Sequence, residues 1–239
     1  MESVRFIVGV ILPYVALVVF LFGMIWRIRM WKSLASPSMT LFPAPPDEAA
    51  NTRNVIKEVV LFASLFKGDR LLWIIAWVFH GVLALIFIGH FRVFTNADAI
   101  LSACGMSEDS IQAMSSGAGG AAGIVILIMV ILFVVRRMTL QRAREVTGLA
   151  DYGALLLIGL IVTTGNIMRF GGEHFDLTLT RDYFASLATF SNASAAEVLT
   201  NNTFLVHMLL GLLLLMLIPF SKILHLGGIF FTHQLIRKQ

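Results

Sequence analysis

The sequence has a single cysteine, few charged residues and several long stretches with no charge at all. Cys104 is the only cysteine among 239 residues, which excludes a disulfide, a Cys-X-X-Cys-His attachment motif and a cysteine-ligated iron–sulfur cluster within the chain. Charged residues make up 13% of the sequence and hydrophobic residues 58%. Soluble domains contain about 25% charged residues, so the composition predicts an integral membrane protein of the all-α class.

Five apolar windows are long enough to cross a bilayer. They cover residues 6–25, 71–93, 118–135, 150–168 and 204–221, approximately. The remaining chain is too short for a separate soluble domain, so residues 1–239 are predicted to form one membrane domain. Between the first two windows, apolar residues recur at helical intervals over residues 54–66, which predicts a short interfacial helix. That helix either lies on the membrane surface alone or also docks a cytoplasmic subunit.

Basic residues are concentrated on one side of the predicted membrane. Residues 27–70, residues 136–144 and the C-terminal tail together hold 14 of the 18 Lys and Arg side chains. The positive-inside rule then predicts an outer N-terminus and a cytoplasmic C-terminus. This topology also explains the net charge of +4, so the sequence predicts no nucleic-acid binding.

Two of the apolar windows each carry a pair of histidines. His80 and His90 lie in the second window, whereas His207 and His225 lie within and just beyond the fifth. A histidine in hydrocarbon is costly and usually has an assigned partner. The paired arrangement predicts four axial ligands for two b-type haems. A single membrane histidine would fit a hydrogen-bonded core residue or a proton relay as well as it fits a haem ligand.

Chain direction predicts how the four histidines pair. With the N-terminus outside, His90 and His207 are expected at the outer side of the membrane, and His80 and His225 at the inner side. Eighteen residues make five helical turns, so His207 and His225 would share one face of a regular helix. Pro219 lies between them and is expected to bend that helix.

The histidine spacings also resemble those of a known family. His-X9-His in one span and His-X17-His in another resemble the cytochrome b (gamma) subunit of respiratory nitrate reductase. Within that family, three stretches are most similar to the DsrM-type cytochrome b, the membrane subunit of a complex linked to sulfite reduction or sulfur oxidation. They are FRVF, LADYGALLLIGLIVTTGNIMRF and PFSKILHLGGIFF. The similarity covers about Leu71 to the C-terminus.

The resemblance implies a five-helix cytochrome with two b haems in the cytoplasmic membrane, surrounded by lipid. Such a subunit exchanges electrons between menaquinone or ubiquinone and a cytoplasmic iron–sulfur protein similar to heterodisulfide reductase. Further membrane and periplasmic partners, such as a cytochrome c, are also implied. One feature differs, because the nitrate reductase branch has a lysine in the outer loop near its quinol site. This sequence has no lysine between Lys67 and Lys222.

The quinone site is expected beside the outer haem, because quinol oxidation releases protons that need acceptors with access to water. Candidate residues lie at the outer ends of the second and fourth windows and in the loop that follows: Gly89, Arg92, Asp98, Gly165, Arg169, Glu173 and His174. The two glycines are expected to leave space for a flat ring, and Glu173 and His174 to accept protons. The arginines would alternatively bind haem propionates or lipid headgroups.

A different class of protein also fits the histidines. A non-redox membrane anchor or transporter could use them to relay protons. A reduced-minus-oxidised spectrum distinguishes the two hypotheses, because only the cytochrome would show a b-type haem.

Overall fold

The computed structural model describes residues 2–33, 48–171, 176–191, 193 and 196–225. Every regular element in these segments is helical. Five helices are long and apolar enough to cross a membrane: Glu2–Ser33, Arg70–Phe94, Glu108–Thr139, Leu149–Phe170 and Asn202–Phe220. The predicted all-α class and the five spans are therefore confirmed, and the chain is a multi-pass membrane protein.

The helices are numbered here in chain order. They are α1 (Glu2–Ser33), α2 (Glu48–Leu61), α3 (Ala63–Gly68), α4 (Arg70–Phe94), α5 (Ala97–Ala103), α6 (Glu108–Thr139), α7 (Gln141–Glu145), α8 (Leu149–Phe170), α9 (Leu177–Ala188) and α10 (Asn202–Leu217). The chain divides into two compact units. The larger contains Met1–Ala16 and Val78–Leu214, and the smaller contains Leu17–Trp77 and Leu215–Gln239.

One π-helical turn, Ile7–Ile11, interrupts α1 immediately before Pro13. Proline has no N–H, so the carbonyl of Gly9, four residues earlier, cannot accept the usual α-helical hydrogen bond from residue 13. The Tyr183 hydroxyl donates to this carbonyl at 2.6 Å. A Cβ at Gly9 would lie 2.7 Å from the methyl groups of Leu199. Gly9 therefore permits close packing of α1 against Leu199, and its carbonyl accepts a hydrogen bond from outside the helix.

The described residues between 171 and 202, a segment expected to be an outer loop, form a folded part of the larger unit. They contain α9 and the 3-10 turn Glu197–Thr200. Asp176 caps α9 because its carboxylate accepts hydrogen bonds from the backbone N–H groups of Thr178 and Leu179. Apolar side chains from this segment are buried against α1 and α10, and the cluster comprises Val8, Tyr183, Leu187, Ala193, Val198, Leu199, Phe204, Leu205 and Met208.

Replacing Tyr183 by phenylalanine is expected to lower the free energy of unfolding by about 1–3 kcal/mol, because the Gly9 carbonyl would lose its buried donor. Burial raises the pKa of Tyr183, so the hydroxyl keeps its proton throughout the usual pH range. Thermal unfolding in detergent measures the effect. Tyr152→Phe is the control, since that hydroxyl lies 3.5 Å from the Arg137 carbonyl. Equal destabilisation by both variants would contradict the assignment.

In the smaller unit, the predicted interfacial helix over residues 54–66 is divided into two helices. α2 ends at Leu61, α3 begins at Ala63, and Phe62 between them has a φ of 50°, in the left-handed region. A left-handed residue ends a helix because the backbone can no longer continue the i to i−4 pattern. The indole N–H of Trp73 donates to the Leu61 carbonyl at 2.7 Å, which satisfies an acceptor at the end of α2.

Candidate functional site

The structure brings together two of the predicted ligands, His90 on α4 and His207 on α10. Their ring centres are 6.4 Å apart, and the ring planes differ by 16°. A metal–imidazole bond is about 2 Å long and each coordinating nitrogen lies about 1 Å from its ring centre, so two rings on opposite sides of one metal have centres about 6 Å apart. The observed separation would allow His90 and His207 to hold one haem iron between them.

The hydrogen bond of His90 selects a tautomer suited to metal binding. Its Nδ1 lies 2.7 Å from the backbone carbonyl of Ile86, one turn earlier on α4. A carbonyl oxygen can only accept, so Nδ1 carries the hydrogen and Nε2 carries the lone pair. Metal-binding histidines commonly donate their other N–H to a backbone carbonyl in this way.

His207 has the same tautomer for a different reason. Its Nδ1 lies 2.9 Å from the hydroxyl oxygen of Thr164 on α8. That hydroxyl also lies 3.0 Å from the carbonyl of Leu160 and 2.9 Å from that of Ile161. When the single hydroxyl hydrogen is donated to one of these two carbonyls, the oxygen accepts the hydrogen of Nδ1. The His207 Nε2 is again the nitrogen with the lone pair.

Two glycines shape the space around this pair. A Cβ at Gly165 would lie 3.3 Å from His207 Cε1, which is a tight contact. Gly165, which was expected to leave space for a quinone ring, therefore lets His207 approach α8. A Cβ at Gly89 would meet nothing within 4 Å. The backbone of α4 at Gly89 is therefore exposed and is not packed against a neighbouring helix.

A charged cluster lies at the C-terminal end of α4. Arg92 Nε donates to one carboxylate oxygen of Asp98 at 2.7 Å, and an Arg181 terminal nitrogen donates to the other at 2.6 Å. Arg181 Nε also donates to the Arg92 carbonyl at 2.6 Å. The hydrogen bond from Arg92, with that from Arg181, holds the pKa of Asp98 below its ordinary value despite partial burial. The two guanidinium groups thus share one carboxylate and join α4 to α9.

The other candidate quinone residues are placed differently. Arg169 lies over the glycine-rich stretch of α6, because a Cβ at Gly119 would be 2.6 Å from its guanidinium. Small residues over 117–123 therefore serve close contact between α6 and α8, as expected for helix packing in membranes. Glu173 and His174 lie outside the described residues, so their part in a quinone site stays a prediction.

The remaining two predicted ligands belong to different units. His80 is half-buried on α4 in the larger unit, and its ring makes an edge contact with Phe79, at 5.2 Å between centres. His225 belongs to the smaller unit and is exposed. Its Nδ1 donates to the Lys222 carbonyl at 3.1 Å. Their pairing stays a prediction.

The five-turn spacing of His207 and His225 assumed a regular helix between them. The end of α10 is not regular. The α-helix ends at Leu217, and two 3-10 turns follow, Ile218–Phe220 and Lys222–Leu224. Ser221 between these turns has an extended backbone. Proline cannot donate to the preceding turn of an α-helix, which explains the end of regular structure near Pro219. The helix is therefore not regular between the two histidines, so the five-turn argument for a shared face does not apply to them.

Comparison with known proteins covers most of the chain. The profile described as "Nitrate reductase gamma subunit" matches residues 62–238. The "Hdr-like menaquinol oxidoreductase cytochrome b-like subunit" of Archaeoglobus fulgidus is 29% identical, over 95% of this chain and 78% of the relative. The protein of the same name in Archaeoglobus profundus is 26% identical, over 92% of this chain and 76% of the relative. The "Respiratory nitrate reductase 1 gamma chain" of Escherichia coli is 29% identical, over 64% and 69%.

Proposed function

Because the chain belongs to the nitrate reductase gamma subunit family, as its histidine spacings predicted, we propose that it is the dihaem cytochrome b subunit of a respiratory complex. The complex exchanges electrons between a membrane quinone, menaquinone or ubiquinone, and a cytoplasmic iron–sulfur subunit. The observation that carries this proposal is the pair His90 and His207, with ring centres 6.4 Å apart. The Archaeoglobus relatives are named as cytochrome b-like subunits of a menaquinol oxidoreductase, which supports both the haem and the quinone.

Each histidine pair holds one haem in this proposal, His90 with His207 on the outer side and His80 with His225 on the inner side. A bound b haem takes up and releases one electron at a time. The protein supplies the ligands, their orientation and an apolar surrounding, which together set the reduction potential. Around the outer pair, the Ile86 carbonyl and the Thr164 hydroxyl hold the two imidazoles through their Nδ1 atoms.

The proposed topology has the N-terminus outside and the C-terminus in the cytoplasm, in the cytoplasmic membrane. It follows from the 14 of 18 basic side chains that lie on one side. The cytoplasmic surface then consists of residues 33–70, residues 136–144 and the C-terminal tail. An iron–sulfur partner similar to heterodisulfide reductase docks there, and the "Hdr-like" name of the Archaeoglobus relatives supports that choice. Periplasmic and further membrane subunits, such as a cytochrome c, complete the proposed complex.

The quinone binds at the outer end, beside the haem held by His90 and His207. Gly89 leaves open space there, and Arg92 lies two residues beyond His90 at the membrane edge. The Arg92 guanidinium is already bound to Asp98, so it supplies a fixed positive charge rather than a mobile proton. Glu173 and His174 are the proposed proton acceptors, since their side-chain types titrate near neutral pH when suitably placed.

Purified protein tests the function directly. We expect a b-type reduced-minus-oxidised spectrum, two haems per chain, and reduction of both by a menaquinol analogue. Protein that is folded but contains no b haem would contradict the proposal and favour the proton relay. If a b haem is present but the quinol analogue does not reduce it, the result would support the cytochrome and contradict the proposed quinone site.

A further inference from the structure

We propose that Thr164 is a positioning residue for the outer haem, acting through the hydrogen bond from His207 Nδ1 to its hydroxyl oxygen. The inference rests on the proposed function, because it requires His207 to bind a haem iron. The contact joins two spans, with 2.9 Å between the hydroxyl oxygen on α8 and the imidazole nitrogen on α10. It is therefore a tertiary contact that neither helix makes alone.

The geometry makes the hydroxyl an acceptor with a fixed direction. Its hydrogen is directed to the preceding turn of α8, where the carbonyls of Leu160 and Ile161 lie 3.0 and 2.9 Å away. Threonine is β-branched, so few side-chain rotamers are allowed in a helix. The oxygen lone pairs consequently point outward from α8, towards His207. A rigid acceptor fixes both the tautomer and the rotation of the imidazole ring.

The two axial ligands of the outer haem differ in how they are held. His90 donates to the Ile86 carbonyl of its own helix, so its orientation is a local property of α4. His207 donates to a different helix, and Gly165, next to Thr164, lets the ring come close. The orientation of His207 therefore depends on how α8 packs against α10. Removing the Thr164 hydroxyl should disturb His207 and leave His90 in place.

The hydrogen bond also has an electronic consequence. An imidazole that donates its Nδ1 hydrogen to an acceptor is a more basic ligand at Nε2. A more basic ligand stabilises the higher charge of ferric iron and so lowers the reduction potential. Loss of the acceptor should raise the potential of the outer haem alone. Such a shift distinguishes a positioning role from general damage to packing.

Thr164→Val tests this inference, because valine keeps the branched shape and removes the hydroxyl. Thr163→Val is the matched control on the same helix, where the exposed hydroxyl donates to the Gly159 carbonyl at 2.8 Å. Thr164→Ser restores the acceptor. Redox titration should show the ferric-to-ferrous ratio of the outer haem falling about tenfold at a given potential in Thr164→Val, a rise of about 59 mV for one electron.

The inner haem, Thr163→Val and Thr164→Ser should retain wild-type potentials. The electron paramagnetic resonance signal of the ferric outer haem should change only in Thr164→Val, because it reports the relative orientation of the axial rings. If Thr164→Val loses the outer haem while Thr164→Ser and Thr163→Val keep it, the inference is also supported. Unchanged potential and signal in Thr164→Val, or equal shifts in Thr163→Val, would overturn it. Wild-type protein without b haem would overturn the proposed function itself.

Discussion

Replacing His207 by alanine is expected to remove one of the two b haems of the proposed cytochrome and to leave the other in place. A b haem has no covalent attachment to the protein and depends on its axial ligands, so the loss of one should abolish stable binding of that haem. His90→Ala should remove the same haem, because the two rings are 6.4 Å apart. Haem content and redox titration of the purified variants measure both effects.

The identity of the haem that is lost makes this experiment decisive. The haem retained in His90→Ala and His207→Ala should have one and the same potential, whereas His80→Ala and His225→Ala should retain the other haem. His233→Ala is the control, since this histidine lies in the tail beyond the apolar windows. If His90→Ala and His207→Ala retain haems of different potential, these residues belong to different sites and the proposed pairing is wrong.

Features that depend on local composition could be predicted from the sequence. Charge-free apolar windows define the spans because hydrocarbon cannot solvate charge. The histidine pairs were recognisable because imidazole is rare in such windows. The histidine spacings resemble those of the nitrate reductase gamma subunit family, and the family comparison confirmed that resemblance. The pairing of His90 with His207 was predicted from chain direction, and the structure brings these two rings together. Their position on the outer side of the membrane stays a prediction.

Features that depend on distant contacts could not be predicted in the same way. Thr164 and His207 are 43 residues apart, and Asp98 and Arg181 are 83 apart. The threonine was visible as a polar residue within the fourth window, but its partner depends on how the helices rotate. Similarly, Tyr183 lies in a segment that is less apolar than the spans. Its hydroxyl donates to the Gly9 carbonyl on α1, 174 residues away, so this contact depends on the tertiary fold.

The charged cluster around Asp98 is the other place where the structure predicts a large effect. Two guanidinium groups lie against one carboxylate, whose side chain is 29% exposed. A hydrogen bond to a charged group contributes about 1.5–3 kcal/mol, and removing the carboxylate leaves two like charges close together. The cluster joins the C-terminal end of α4 to α9, so its loss should loosen the larger unit near His90.

Asp98→Asn is therefore expected to lower the free energy of unfolding by about 2–3 kcal/mol at neutral pH. The pKa of Asp98 in the folded protein lies below its ordinary value of 3.8, first because of the hydrogen bond from Arg92. Its stabilising effect is then complete above that ordinary value and is lost as the pH falls through the folded pKa. Unfolding in detergent should show a constant difference between wild type and variant from about pH 5 to pH 8, shrinking below about pH 4. Asp182→Asn, which changes the same charge at an exposed position beside Arg181, should have little effect. Comparable losses in both variants, or a difference that persists in acid, would show that the carboxylate of Asp98 does not hold the two arginines together.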